Sequence, residues 1–243
     1  MRVAYEARKG TAGFLLLHGL TGTPDEVRPL GERLARGGFS VLVPWLAGHG
    51  TSPKDLERTT WRDWEESGRE ALHALKRRTR RVFVGGLSMG ACAALHLASH
   101  EEVDGVVSMA GLYKLVDWRF NLIGFFRFLQ WRTRELKGGV SRGGVVHPTY
   151  DYAPTKSLYE LKRMMDHLRD DLRYVKAPAL VCHGSKDSMV PPGNADQILA
   201  ALGSALKHRL ILPRSNHVLP LDEDREILFA KVLRFARSRG RRI

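Results

Sequence analysis

The sequence predicts a doubly wound α/β fold, a mostly parallel sheet of about six to seven strands flanked by helices and carrying a small helical insertion. Three observations predict it. Short apolar runs recur along the chain without polar alternation, as strands covered on both faces require. Longer amphipathic stretches fall between them. The rhythm breaks once, between Met109 and Ala179. The 243 residues suit one such unit, and the 43% hydrophobic content is enough to build a core without disulfides.

The strands read in order as Gly13–Leu17, Ser40–Val43, Arg81–Gly85, Gly105–Met109, Ala179–Cys182 and Arg209–Leu212. A helix over Pro24–Arg36 has its start signal at Thr23-Pro24 and its stop at Gly37-Gly38. Trp61–Arg77 carries apolar residues at helical spacing, and Ser88–Ser99 is rich in Ala and Leu. Asp196–Leu202 and Asp222–Arg237 complete the alternation, with Asp222 and Asp224 as first-turn acids. A structureless loop across the break is improbable. The break is therefore read as a mostly helical insertion over residues 112–172, with residues 1–111 and 173–243 forming the core. Helices are expected at Val116–Lys137 and Lys156–Arg173, joined through Gly138-Gly139 and Gly143-Gly144. Trp118, Phe125, Phe126 and Trp131 belong to a stretch apolar on nearly every side, which calls for burial on more than one face.

The net charge is +13. It is concentrated in a run from Lys76 to Arg81 and a second from Lys231 to Arg242. Helix carboxyl ends favour such residues. The runs also suit weak electrostatic association with an anionic membrane surface. There is no zinc-finger spacing and no aromatic RNA-binding signature beside them, so nucleic acid is not expected as a partner. Cys92 and Cys182 have neither metal-ligand spacing nor a disulfide framework. The opening MRVAYEARKG lacks the apolar core of a signal peptide, and no apolar run reaches membrane-spanning length. The expected setting is the cytoplasm, with the chain acting as a monomer or dimer.

Chemistry enters at Gly86-Leu87-Ser88-Met89-Gly90. This G-x-S-x-G run follows a strand and opens a helix, the context of a nucleophile elbow. A serine hydroxyl needs a base, and the base an orienting acid. His217 lies in Pro213–Pro220, directly after the last strand, and Asp187 in the loop His183–Pro191 after the strand before it. His73, His96, His100, His167 and His208 read as surface or packing residues, while His147 and His183 are kept as site-lining candidates. Asp166, Asp170 and Asp171 read as solvated helix acids. An oxyanion hole needs two backbone N–H donors. Met89 follows the nucleophile, and Leu20 sits in the loop His18–Pro24 after the first strand. Gly19, Phe125, Phe126, Val190 and Val218 are the candidates for lining the substrate pocket. Gly48-His49-Gly50 reads as a structural turn, with direct substrate contact as its alternative.

Five segments together resemble the α/β-hydrolase superfamily, and within it the small bacterial carboxylesterases and monoacylglycerol lipases. They are Leu17–Gly22, Ala47–Ser52, Gly86–Gly90, Gly184–Asp187 with Val190-Pro191, and Ser215–His217. The resemblance implies the α/β-hydrolase fold with a helical cap, Ser88 as nucleophile, His217 as general base, Asp187 as orienting acid, and oxyanion donors at Leu20 and Met89. It implies a serine carboxylesterase acting on short-to-medium acyl esters or monoacylglycerols, with no cofactor and no metal. The alternatives are a thioesterase or lysophospholipase using the same groups on an anionic substrate, and a non-catalytic binder of membranes or polyanions.

Overall fold

The most continuous apolar runs form the middle of one seven-stranded sheet in the computed structural model, which describes residues 2–115, 133–134 and 150–238. Its strands are β1 (Val3–Ala7), β2 (Ala12–Leu17), β3 (Ser40–Pro44), β4 (Arg81–Leu87), β5 (Gly105–Met109), β8 (Ala179–Gly184) and β9 (Lys207–Leu212), in the order β1-β3-β2-β4-β5-β8-β9. Every pairing is parallel except that of β1 with β3. Two further strands, β6 (Thr133–Arg134) and β7 (Tyr152–Ala153), form a separate antiparallel pair.

Neighbouring residues of a strand feed opposite faces. Leu15 and Leu17 pack into one core with α3 (Trp61–Lys76), α4 (Met89–His100), α5 (Thr155–Asp171) and α6 (Asn194–Ala201). Phe14 and Leu16 pack into the other with α1 (Arg28–Arg36) and α7 (Arg225–Ser238). A short helix, α2 (Pro53–Glu57), is started by the Ser52 side chain accepting from Asp55 N–H. The mostly parallel sheet between two helical layers is the predicted fold class.

Several elements differ from the sequence reading. β1 and α2 were not expected. Thr133–Arg134 is strand where the helix Val116–Lys137 was expected, and the rest of that helix, with Phe125, Phe126, His147 and both Gly-Gly pairs, lies outside the described residues. α1 is preceded by a 3-10 turn at Pro24–Glu26 rather than continuing it. α7 begins at Arg225, because Asp222 and Asp224 are turned inward to a different task.

Among the described residues no helix is long and apolar enough to cross a membrane. The basic run at the end of α3 is partly paired: Lys76 meets Glu101 at 2.8 Å, and Arg78 meets Glu6.

Candidate active site

Parallel register brings the carboxyl end of β2 beside the elbow, with Leu17 opposite Gly86. Ser88 adopts φ 56° and ψ −119°, a conformation a side-chain-bearing residue holds only under constraint. Its own N–H is anchored to Met109 O at 2.8 Å. The two motif glycines are dictated by close approach. A Cβ on Gly86 would lie 1.9 Å from Gly90 O, and one on Gly90 would lie 2.3 Å from Leu17 O. Thr21, Ser88 and Ala110 are the non-glycine residues of positive φ among those described, and they sit in the turns that follow β2, β4 and β5. Backbone strain is thus collected at one end of the sheet. Met89 opens α4, so its N–H belongs to the first turn, which has no intrahelical acceptor.

Asp187 and His217 come from the loops after β8 and β9. His217 Nδ1–H donates to Asp187 Oδ2 at 2.8 Å, which leaves Nε2 as the ring nitrogen the acid does not engage. The carboxylate is satisfied on all sides. Met189 N–H and Val190 N–H donate to Oδ1 at 2.9 and 2.8 Å. His183 Nε2 lies 3.1 Å from Oδ2 and 3.0 Å from Val190 O, an acceptor only, so that nitrogen carries the proton. Burial raises the Asp187 pKa, but the hydrogen bonds from His183 and His217 outweigh it and hold the acid well below the usual carboxylate range.

The loop that carries His217 is stapled by the two acids expected in the first turn of the last helix. Asp224 Oδ2 accepts from Arg214 N–H at 2.7 Å and from Ser215 Oγ at 3.2 Å, and Asp222 Oδ2 accepts from Asn216 N–H at 2.8 Å. Both are buried. The helical pattern made them first-turn acids, yet their backbone position puts their carboxylates under the loop.

The loop after β2 is built differently. His18 Nδ1–H donates to Gly19 O at 2.9 Å, and Leu46 N–H donates to His18 Nε2 at 3.2 Å, which fixes a neutral tautomer. Burial, then the neighbouring His49, hold its pKa well below normal. His49 donates through Nδ1 to Ala47 O at 2.9 Å, and burial pushes it down to about 4. Glu26 Oε2 accepts Gly19 N–H at 2.8 Å, and burial pushes that carboxyl up to about 7. Tyr150, where the chain returns from the insertion, bridges this loop to the next. Its N–H donates to Thr21 O at 3.1 Å, its hydroxyl donates to Gly48 O at 2.9 Å, and Thr51 N–H donates to that hydroxyl at 3.0 Å.

The structure therefore brings Asp187, His217 and His183 together. It places Gly19 beside Ser88, since a Cβ on Gly19 would lie 3.6 Å from Ser88 Cβ. Leu20 lies between Gly19 and the strained Thr21. Val190 is a core residue whose backbone supports Asp187, and Val218 is half-buried against the second core. Glu26, Asp222, Asp224 and Tyr150 were missed as site-building residues, and Asp171, expected in solvent, is half-buried against two histidines.

A serine on a strained strand-to-helix turn, with a His–Asp pair contributed by the last two loops of a parallel sheet, defines a class of hydrolase fold. The chain belongs to the alpha/beta hydrolase family, whose model matches residues 14–231. It is 37% identical over 235 residues to the thermostable monoacylglycerol lipase of Bacillus sp. (strain H-257), covering 95% of this chain and 92% of that one. It is 25% identical over 229 residues to a carboxylesterase of Bacillus subtilis (strain 168), covering 93% and 92%. A solved structure from work on LipS and LipT, two metagenome-derived lipolytic enzymes, superposes with a TM-score of 0.91 at 30% identity, covering 96% of both chains.

Proposed function

We propose that this chain is a serine-dependent carboxylic ester hydrolase acting on monoacylglycerols and other esters of short-to-medium acyl chains. The observation that carries the reading is the His217–Asp187 hydrogen bond of 2.8 Å in the same molecule as a Ser88 held at φ 56°. The names of its relatives, a monoacylglycerol lipase and a carboxylesterase, supply the substrate class.

In this reading Ser88 Oγ attacks the ester carbonyl carbon while His217 Nε2 takes its proton. Asp187 holds the imidazole by Nδ1 and balances the imidazolium. The carbonyl oxygen becomes an oxyanion accepting the N–H groups of Leu20 and Met89. The tetrahedral adduct collapses, the C–O bond to the alcohol breaks, and His217 gives its proton to the departing oxygen. Water, deprotonated by His217, then releases the acid from Ser88. Within the expected insertion, residues 112–172, the part that precedes α5 is proposed as the cap over the acyl group, with Gly19, Val190 and Val218 at the pocket wall, since α5 itself packs into the core of the sheet. Two buried free thiols, Cys92 and Cys182, suit a reducing compartment, the cytoplasm. The basic ends of α3 and α7 are proposed to hold the enzyme weakly at anionic membranes, and this binding should fall as salt is added.

The test is the initial rate on p-nitrophenyl esters of rising acyl length and on a monoacylglycerol. Ser88→Ala and His217→Ala should each lower kcat by roughly 10⁴-fold or more, and the double variant should be little worse, as for groups acting as one unit. Additive losses would overturn the assignment.

A further inference from the structure

At the end of α4 remote from Ser88, three side chains converge that ester hydrolysis does not use. His96 and His100 are four residues apart and so share one face of the helix. Asp171, the last residue of α5, reaches between them: its Oδ2 lies 3.2 Å from His96 Nε2 and 3.4 Å from His100 Nε2. One ligand atom from each residue lies within 4.8 Å of the others. We propose that His96, His100 and Asp171 form a binding site for a divalent transition metal of the zinc type, which fastens α5 to α4.

Geometry carries the argument first. Zinc bonds to imidazole nitrogen and carboxylate oxygen are about 2.0–2.1 Å, so the edge of a tetrahedron around it is about 3.3 Å. Two edges of the cluster already have that length, and an ion placed among the three atoms asks little movement of the side chains. Two imidazoles and one carboxylate are a donor set for zinc and its neighbours rather than for calcium or magnesium. The fourth position is left to water.

The surroundings agree. His96 Nδ1 faces Glu65 Oε2 at 3.2 Å. A carboxylate on that side of the ring favours the tautomer with its proton on Nδ1, which frees Nε2 for a metal. Glu65 is itself buried, so this contact is sheltered from solvent. α4 ends at His100 and α5 ends at Asp171, so two helix carboxyl ends, each partially negative, lie near the cluster. His96 is buried and His100 is exposed, giving both a rigid ligand and a way in. At about 1.5 Å per residue, His96 and His100 lie about 12 and 18 Å along the helix from the nucleophile turn. The role of the site is therefore to brace: α5 is the helix by which the chain returns from the insertion to the sheet.

The test uses the untagged full chain stripped with chelator and then titrated with Zn²⁺ by calorimetry, with Co²⁺ visible absorption as a spectroscopic signature of the coordination. The expected result is one Zn²⁺ per chain, a tetrahedral Co²⁺ spectrum, and a thermal midpoint raised by roughly 5–10 °C at a hundredfold excess over Kd. His100→Ala, at an exposed position where folding is spared, should weaken binding by at least about 10-fold and remove the midpoint shift, while His100→Cys, which restores a ligand, should recover both. His217→Ala should bind as the wild type does. Equal binding by wild type and His100→Ala, no binding at all, or loss of binding in His217→Ala would each overturn the proposal, whatever the fate of the hydrolase reading. In the first and second cases Asp171 serves only as an ion-pair partner of the two histidines.

Discussion

The two halves of the candidate site treat their titratable groups in opposite ways. Around His217 a carboxylate is kept charged: Asp187 is buried, yet four donors, from Met189, Val190, His183 and His217, surround it. Around Gly19 the groups are pushed toward their neutral forms. His18 and His49 are held as uncharged imidazoles, and the Glu26 carboxyl is raised to about 7. The difference fits what each half does in the proposed reaction. There the His217 side stabilises a cation that appears during turnover, so a fixed anion helps it. The Gly19 side receives a developing oxyanion on backbone N–H groups, and a fixed anion there would oppose it. A fixed cation on that side would bind product carboxylate as well as the transition state, lowering the differential.

The largest expected effect breaks the charged half. Asp187→Asn keeps the shape but removes the charge and offers an amide where a carboxylate accepted His217 Nδ1–H. The imidazole is then held in the wrong tautomer, and kcat should fall on the order of 10⁴-fold. Rates across acyl lengths should fall by the same factor, since the pocket is untouched. A variant with wild-type rate would mean that another carboxylate orients His217. A loss confined to long chains would mean that Asp187 shapes the pocket instead.

A smaller effect tests the neutral half. The folded pKa of Glu26, about 7, lies above its ordinary value of 4.5. The folded state therefore binds the proton more tightly than the unfolded chain does. The stability this contributes is complete below pH 4.5 and is lost as pH rises to 7, beyond which nothing further is lost. Burial is nearly complete, so the span is about 3 kcal/mol as an order of magnitude. Glu26→Gln still accepts Gly19 N–H but cannot ionise. Its unfolding free energy from denaturant titration should stay flat through that window while the wild type declines relative to it. Parallel curves would mean that the carboxyl ionises freely and that the loop tolerates an anion. The ratio of variant to wild-type kcat should also rise through pH 7, because only the wild type gains a charge near the oxyanion.

Local backbone demands were readable from the sequence. The elbow was legible because Gly86 and Gly90 sit where a Cβ would strike backbone, a constraint written in spacing alone. The parallel strands were legible because burial on both faces leaves runs such as Gly13–Leu17 wholly apolar. β1 was not, since an edge strand with Glu6 and other exposed positions has no such run. Partners set by the tertiary fold were also hidden. Glu26 follows Thr23-Pro24 as any first-turn acid would, and only the turn back of Gly19 N–H buries it. Asp222 and Asp224 fit a helix start, but the return of the His217 loop over them supplies their donors. His96 and His100 read as surface or packing residues, because the third member of their cluster, Asp171, comes from another helix. Thr133–Arg134 sat inside a pattern of helical type, and its pairing with Tyr152–Ala153 across the insertion overrode it.

The smallest expected effect concerns the bridge that joins the neutral half to the return from the insertion. The Tyr150 hydroxyl is held by two backbone groups of one loop, Gly48 O and Thr51 N, while its backbone N–H holds Thr21 O in the other. Tyr150→Phe removes the hydroxyl alone. The loss of two partly exposed hydrogen bonds should cost about 1 kcal/mol, and for a chain of this size the thermal midpoint should drop by roughly 2–4 °C. The backbone bond to Thr21 survives, so the strained turn beside Leu20 keeps its anchor, and kcat on a short p-nitrophenyl ester should stay within about twofold of wild type. A fall in kcat of tenfold or more with the same small change in midpoint would place the hydroxyl in the machinery that positions the oxyanion loop. The neutral half would then depend on the insertion for its geometry, whereas among the described residues the charged half is held by loops of the sheet.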